Sequence, residues 1–369
     1  MRKVRSINFI YNAIFIIILI GCKGKSARVV IHNDIKHFTK FLQENDSIVF
    51  KNMHELKGLL PKQMHIIDST LIIFNFTRNR KGYTFYNYSL NDNKLSKGYL
   101  AYGRGPNEVI GPFTSRVKDG KLWMHDITRK KIMSIEVDKA LNDSILSFNN
   151  FSIQNYHYKI DIADSLHYLS VGDKFSLSKI QLIDLASQKT IKEYGKFTLL
   201  DEAPIDAVKD GYQSFILSKP SGNKVVLPYR YEDVVEIYDL KSDTSIAIQG
   251  PDRIVLDFKP TKLKSGNVYM VEKDTRRTYG APVVTDKYIY LPYSGHRRGN
   301  RSEEERFKWN NENVIHVFDW EGNPIKKLVL DRYITSIAVS KDDKTLYSFD
   351  AETGYLIKAN LDLRTNKNK

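Results

Sequence analysis

Cysteine is almost absent. Cys22 is the one cysteine in 369 residues, so no disulfide forms within the chain and the fold must stand on its buried core alone. No acidic residue precedes Cys22, and the apolar run "FIYNAIFIIILIG" stops at Gly21 after 13 residues. A bilayer-spanning helix needs about 20, which argues against a permanent span. The nine histidines are dispersed, with no H-x-x-x-H pair and no second cysteine, which argues against a dedicated zinc site. There is also no G-x-S-x-G nucleophile elbow and no phosphate-loop lysine motif. Nothing in the chain spells out catalysis.

What does precede Cys22 is a positive patch of Arg2, Lys3 and Arg5 followed by that apolar run, the composition of a signal peptide. Leu19, Ile20, Gly21 and Cys22 resemble the lipobox of bacterial lipoproteins. The resemblance implies that residues 1–21 are cleaved and that Cys22 carries the lipid attachment. Ordinary secretion would call for a small-x-small cleavage site, and none stands in its place. The basic tether "KGKSARVV" follows without the acidic residues that send some lipoproteins to the cell surface. The expected address is therefore the bacterial cell envelope, with the anchored protein facing the periplasm.

With 41% apolar and 12% aromatic residues the chain can bury a sizeable core. The net charge of +14 drops to +11 without Arg2, Lys3 and Arg5. Lys and Arg are scattered through many turns instead of forming one tract with interleaved aromatics. Nucleic acid is thus not an expected partner, and anionic lipid, acidic glycan or acidic protein surfaces are.

Residues 33–62 hold no sustained period, and only "DSIVFK" reads as a strand. From His65 onward, short runs rich in Ile, Val, Tyr and Phe alternate with Gly, Asn, Asp and Lys turns, the strand-and-hairpin pattern. The same hairpin recurs six times, at 69–90, 120–138, 164–185, 223–240, 286–331 and 343–362. Runs such as "SFILSK" and "ITSIAVS" supply inner strands. Such spacing fits four-stranded propeller blades, each burying its faces on its neighbours. A β-sandwich or long barrel also has short strands, but does not require one hairpin six times. The expectation is an all-β chain: residues 1–21 a signal, 22–64 a tether and N-terminal segment that could supply a ring-closing strand, and 65–369 a six-bladed β-propeller of antiparallel four-stranded blades.

"AYGRGPNEVIGP" at 101–112 and "VIHVFDWEGNPIKKLVLD" at 314–331 resemble hallmarks of TolB-like six-bladed β-propeller lipoproteins. The resemblance runs from about residue 65 to 363. It implies the fold and an envelope address, with no general biochemical assignment. No cofactor is expected; the alternative is Ca²⁺, which propellers of this shape can hold on inward-facing Glu, Asn and Asp. In the turn Gly103, Arg104, Gly105, Pro106, Asn107, Glu108, the glycines permit positive φ and Pro106 fixes φ near −65°. Glu108 can accept hydrogen bonds from turn amides. The turn reads as a rigid connection between blades. It is not a dinucleotide loop, because Glu108 stands where a third glycine would be needed.

The stretch "SGHRRGNRSEEERFKWNNEN" interrupts the fifth hairpin. Arg297, Arg298, Arg301, Phe307 and Trp309 make it the candidate partner-binding element, since Arg and Trp recur as interface anchors. The other reading is a solvated excursion with a helical turn in "SEEERFKW" capped by Ser302. Two functions follow: a lipid-anchored scaffold for a protein or glycan partner, or a glycan- or lactone-directed hydrolase or lyase at the channel mouth.

Overall fold

The computed structural model describes residues 29–32, 34–77, 81–142, 146–199, 203–264 and 266–363. Cys22 and the signal segment lie outside the described residues. Six antiparallel blades follow one another along the chain, the last two joined in one eight-stranded sheet. Blade one is Pro61–Ile67, Thr70–Asn75, Tyr83–Ser89 and Tyr99–Tyr102, and blade two Pro112–Lys118, Lys121–Asp126, Lys131–Glu136 and Asn149–Ser152. Blade three is Lys159–Ile162, His167–Val171, Ser178–Asp184 and Thr190–Lys196, and blade four Leu217–Ser218, Lys224–Pro228, Val234–Asp239 and Thr244–Gln249. Blade five is Val283–Val284, Tyr288–Tyr293, Glu312–Asp319 and the first half of Pro324–Val339. The second half of that strand opens blade six, which continues through Thr345–Asp350 and Tyr355–Asn360. Each of the six hairpins read from the sequence supplies the two middle strands of one blade.

Alternation along the strands explains why the sheets stack. Side chains of a strand point to opposite faces in turn. Leu71 and Ile73 therefore pack on blade six, against Phe349 and Leu356, while Ile72 and Phe74 pack on blade two, against Leu122 and Met124. Similar clusters fill the next four seams, around Trp123 and Tyr168, Val225 and Tyr229, Phe318 and Trp320, and Val317 and Ile357. Both faces of every blade are apolar and neither is left in water, which is how the fold does without disulfides. Turn chemistry agrees: Asp119 and Gly120, at φ 51° and 71°, make the two-residue link of the first hairpin in blade two.

The segment before residue 61 wraps the ring from outside. Val29–Val30 pairs with Thr198–Leu199, and Ile35–His37 runs parallel to the outer strand of blade four. Gln43–Ile48 runs parallel to the outer strand of blade five, and Lys51–Glu55 is the outermost strand of blade six, antiparallel to Tyr355–Asn360. Strands from the N-terminal segment thus share a sheet with the last strands of the described chain. Thr335 Oγ1 donates to the Pro61 carbonyl at 3.1 Å, joining blades six and one beside the channel.

Candidate functional site at the mouth of the channel

In every blade the innermost strand starts at the same end of the ring, and the link between the second and third strands returns to that end. One mouth of the channel therefore gathers the first residues of the inner strands, Lys62, Phe113, Lys159 and Phe215 among them, and the links 229–233 and 294–311. The channel cavity is about 360 Å³, and Lys62, His65, Arg116, Lys118, Lys159 and Asp161 contribute its polar lining.

Two lysines face one ring. Lys159 Nζ lies 4.0 Å from the Phe113 centroid and 4.9 Å from that of Phe215. Lys62 Nζ lies 4.4 Å from the same Phe113 ring and 5.5 Å from Phe76. Arg230, in the 229–233 link, donates from Nη1 to the Tyr158 hydroxyl at 2.9 Å. Burial, then the Arg230 charge, pushes Lys62 down to about 8. Burial, then repulsion from Lys62 and Arg230, pushes Lys159 well below its ordinary value. The aromatic faces work against that loss of charge, because a ring quadrupole attracts a cation.

Deeper in the channel the charges are matched. Asp161 lies 3.3 Å from Arg116 Nε and accepts from both the backbone N–H and the hydroxyl of Ser218 at 2.6 Å. Arg116 Nη2 donates to the Ser218 carbonyl at 2.8 Å, and Lys118 Nζ donates to the Ser218 hydroxyl at 3.0 Å. Blades two, three and four are tied across the channel by this network. His65 bonds Ser115 Oγ at 2.8 Å, and burial followed by the Arg116 charge pushes it down to about 3, so it is neutral at pH 7. This lining does not fit Ca²⁺, a hard cation that takes six to eight oxygen ligands. The carboxylate of Asp161 is already spent, and lysine and arginine surround it. Among the described residues, no three His, Cys, Asp or Glu converge as metal ligands.

The insertion lies over the same mouth. Glu303–Asn310 is a helix whose N-cap Ser302 accepts from the Glu305 N–H at 3.2 Å, while Glu305 Oε2 accepts from the Ser302 N–H at 3.0 Å. Gly299, at φ 62°, leaves room for the Glu305 carboxylate, from which a Cβ would stand only 2.2 Å. Trp309 stacks on Tyr231 at 6.3 Å, and Phe307 meets Tyr333 edge-to-face at 5.2 Å. Arg277 secures the base of the insertion, donating to the Trp309 carbonyl at 2.9 Å and to Glu312 at 2.6 Å. Both aromatics are half-buried against the propeller, whereas Arg297 and Arg301 are exposed and Arg298 is half-buried. Arg297 reaches Asp274 at 3.3 Å. Tyr231 is next in sequence to Arg230, so the helix abuts the link that carries Arg230.

The 103–108 turn links blades one and two at this end. Gly105 N–H donates to Glu108 Oε2 at 2.6 Å, Gly103 N–H to the Val109 carbonyl at 2.9 Å, and Arg129 Nη1 to the carbonyls of Gly105 and Glu108. Arg104 is exposed. Neither glycine has positive φ, contrary to the sequence reading. Their role is spatial: a Cβ on Gly103 would lie 2.1 Å from Glu108 Oε2, and one on Gly105 3.0 Å from the same atom.

Sequence reasoning found the insertion and the turn but missed Lys62, Lys159, Arg230 and Phe113. A signal existed in the dipeptides that open the inner strands, "PK" at 61, "PF" at 112, "YK" at 158 and "SF" at 214. It becomes visible only once those positions are known to be equivalent.

Among the solved structures that match this chain, two illustrate the shared architecture. One, an inferred exported protein from Bacteroides fragilis, aligns with TM-score 0.57 and 12% identity over 89% of this chain and 99% of its own. The other, a member of the DUF4221 family from Bacteroides vulgatus, aligns with TM-score 0.55 and 13% identity over 92% of this chain and 99% of its own. At such identity they speak to the fold. No curated protein matches the chain. The TolB-like 6-blade propeller-like family matches residues 37–342, which takes in the outer strands on blades five and six and most of the ring they enclose, and the chain belongs to that family.

Proposed function

We propose that this protein is an envelope lipoprotein, anchored through a lipid on Cys22 and facing the periplasm, whose propeller serves as a rigid binding scaffold for a protein or glycan partner. The observation that carries the reading is the insertion between Tyr293 and Glu312. It is a capped helix fixed to the ring by Trp309, Phe307 and Arg277, and it holds Arg297 and Arg301 in solvent beside the channel mouth. A pre-ordered loop on a rigid ring loses little freedom on binding, which favours affinity. The fold-level likeness to an inferred exported protein agrees with the signal and lipobox read from the sequence.

Catalysis on glycans or lactones finds less support. Glycoside hydrolysis generally uses two free carboxylates flanking the bond, and Asp161 in the channel is held by Arg116 and Ser218. The test is affinity capture from gently solubilised envelopes, comparing the full protein with a variant lacking residues 296–311. A stoichiometric partner retained only by the full protein is expected. Equal retention by both forms, or none by either, would contradict the reading.

A further inference from the structure

The cations at the mouth pose a physical problem that the scaffold reading does not address. Lys159 is only 6% exposed, and neither it nor Lys62 has a carboxylate within ion-pair reach among the described residues. Arg230 is bonded to the Tyr158 hydroxyl. The buried carboxylate in electrostatic range of Arg230, Glu312, is committed to Arg277 at 2.6 Å. Cations elsewhere in the interior have an oxygen acceptor: Lys179 donates to Glu236 at 2.5 Å, Arg116 lies 3.3 Å from Asp161, Lys131 donates to Asn150 Oδ1 at 3.0 Å, and Lys209 donates to the Ser178 carbonyl. Uncompensated positive charge in a low-dielectric site is costly unless a counter-charge arrives or a proton leaves.

We propose that Lys62, Lys159 and Arg230 form an oxyanion-binding site in the channel mouth, which takes the carboxylate or phosphate group of a small ligand entering the cavity. The aromatic walls suit this role. Phe113, Phe76 and Phe215 orient the ammonium groups without neutralising them, and they keep competing acceptors away from the ligand. Arg230 contributes a planar fork able to hold two oxygens of one group. The apolar ring faces would lie against the body of the ligand, and the cavity of about 360 Å³ limits that body to about the size of one sugar acid or sugar phosphate. The site stands independently of any partner docked on the insertion.

Calorimetric titration of the full detergent-solubilised protein at pH 7 and low salt tests it, with glucuronate, inorganic phosphate and neutral glucose as probes. Glucuronate or phosphate should bind and glucose should not. Preference for glucuronate would identify a sugar acid, and equal or tighter phosphate binding a bare oxyanion. Lys159→Met and Lys62→Met should each weaken binding at least tenfold, Lys159→Arg by less than threefold, and Lys341→Met, exposed at the other end of the ring, not at all. Thermal melts guard against misfolding as the cause. Lys159→Met should melt no lower than the wild type without ligand and lose the upward shift that the anion gives the wild type. Absence of binding by both anions, or a lower melt of Lys159→Met without ligand, would overturn the assignment.

Discussion

At Gly103 an added methyl group would stand 2.1 Å from Glu108 Oε2, so the glycines of this turn are there to admit a carboxylate. Gly103→Ala should cost about 1–3 kcal/mol of stability, the usual range for overpacking, and urea unfolding reads it directly. The buried histidines act in opposite directions. His32 lies between Glu236, 2.8 Å from Nδ1, and Glu232, 3.0 Å from Nε2, while Lys179, Tyr229 and Tyr238 also donate to Glu236. Burial alone would lower its pKa, but the hydrogen bonds to Glu232 and Glu236 raise it above the ordinary 6.5. The raised pKa means this contact stabilises fully below pH 6.5 and fades as pH rises through the folded pKa. His316, stacked on Tyr293 at 4.3 Å, is pushed by burial down to about 3. Its neutral ring contributes stability above pH 6.5 that is lost as pH falls, at about 1.4 kcal/mol per pH unit. Unfolding free energies measured from pH 4 to 9 should show His316→Phe flattening the acid limb and His32→Gln the alkaline limb; parallel curves would refute both assignments.

Among the elements, the outer N-terminal strands and the insertion helix are the parts whose energetics differ most. Removing residues 29–49 should leave a closed but less stable ring, since Ile31, Phe41 and Ile48 are buried there. Removing residues up to 55 should also strip blade six of its outermost strand and expose Tyr355–Asn360 to association. Size-exclusion chromatography distinguishes monomer from the oligomers expected of the second form. In the insertion, Ser302→Ala removes one cap worth about 1 kcal/mol. Amide exchange at residues 303–306 should accelerate about fivefold with the global melting temperature unchanged. The six hairpins were legible because both of their faces are buried and their apolar runs stand clear between turns. The outer strands were not: Ile35–His37 turns Lys36 and His37 to solvent, and an edge strand with one apolar face leaves a weak pattern. The helix was legible through its capping box, which is a local signal.

For the whole molecule, the ring turns distant residues into neighbours. Lys62 and Lys159 are nearly a hundred positions apart, yet both ammonium groups sit over Phe113 because each begins an inner strand. Sequence reasoning could not assemble that cluster, since the register of each inner strand against the channel is fixed by closure of the ring and not by any local motif. Closure also sorts the loops into two ends, and binding is assigned to only one of them. Site-specific photo-crosslinking in intact envelopes tests this most directly, with a photoreactive residue at Arg301 in the insertion or at Lys341 in a turn at the opposite end. Crosslinking to one discrete partner from position 301 and none from 341 is the predicted result. The same products from both positions, or products from 341 alone, would contradict a binding face at the channel mouth.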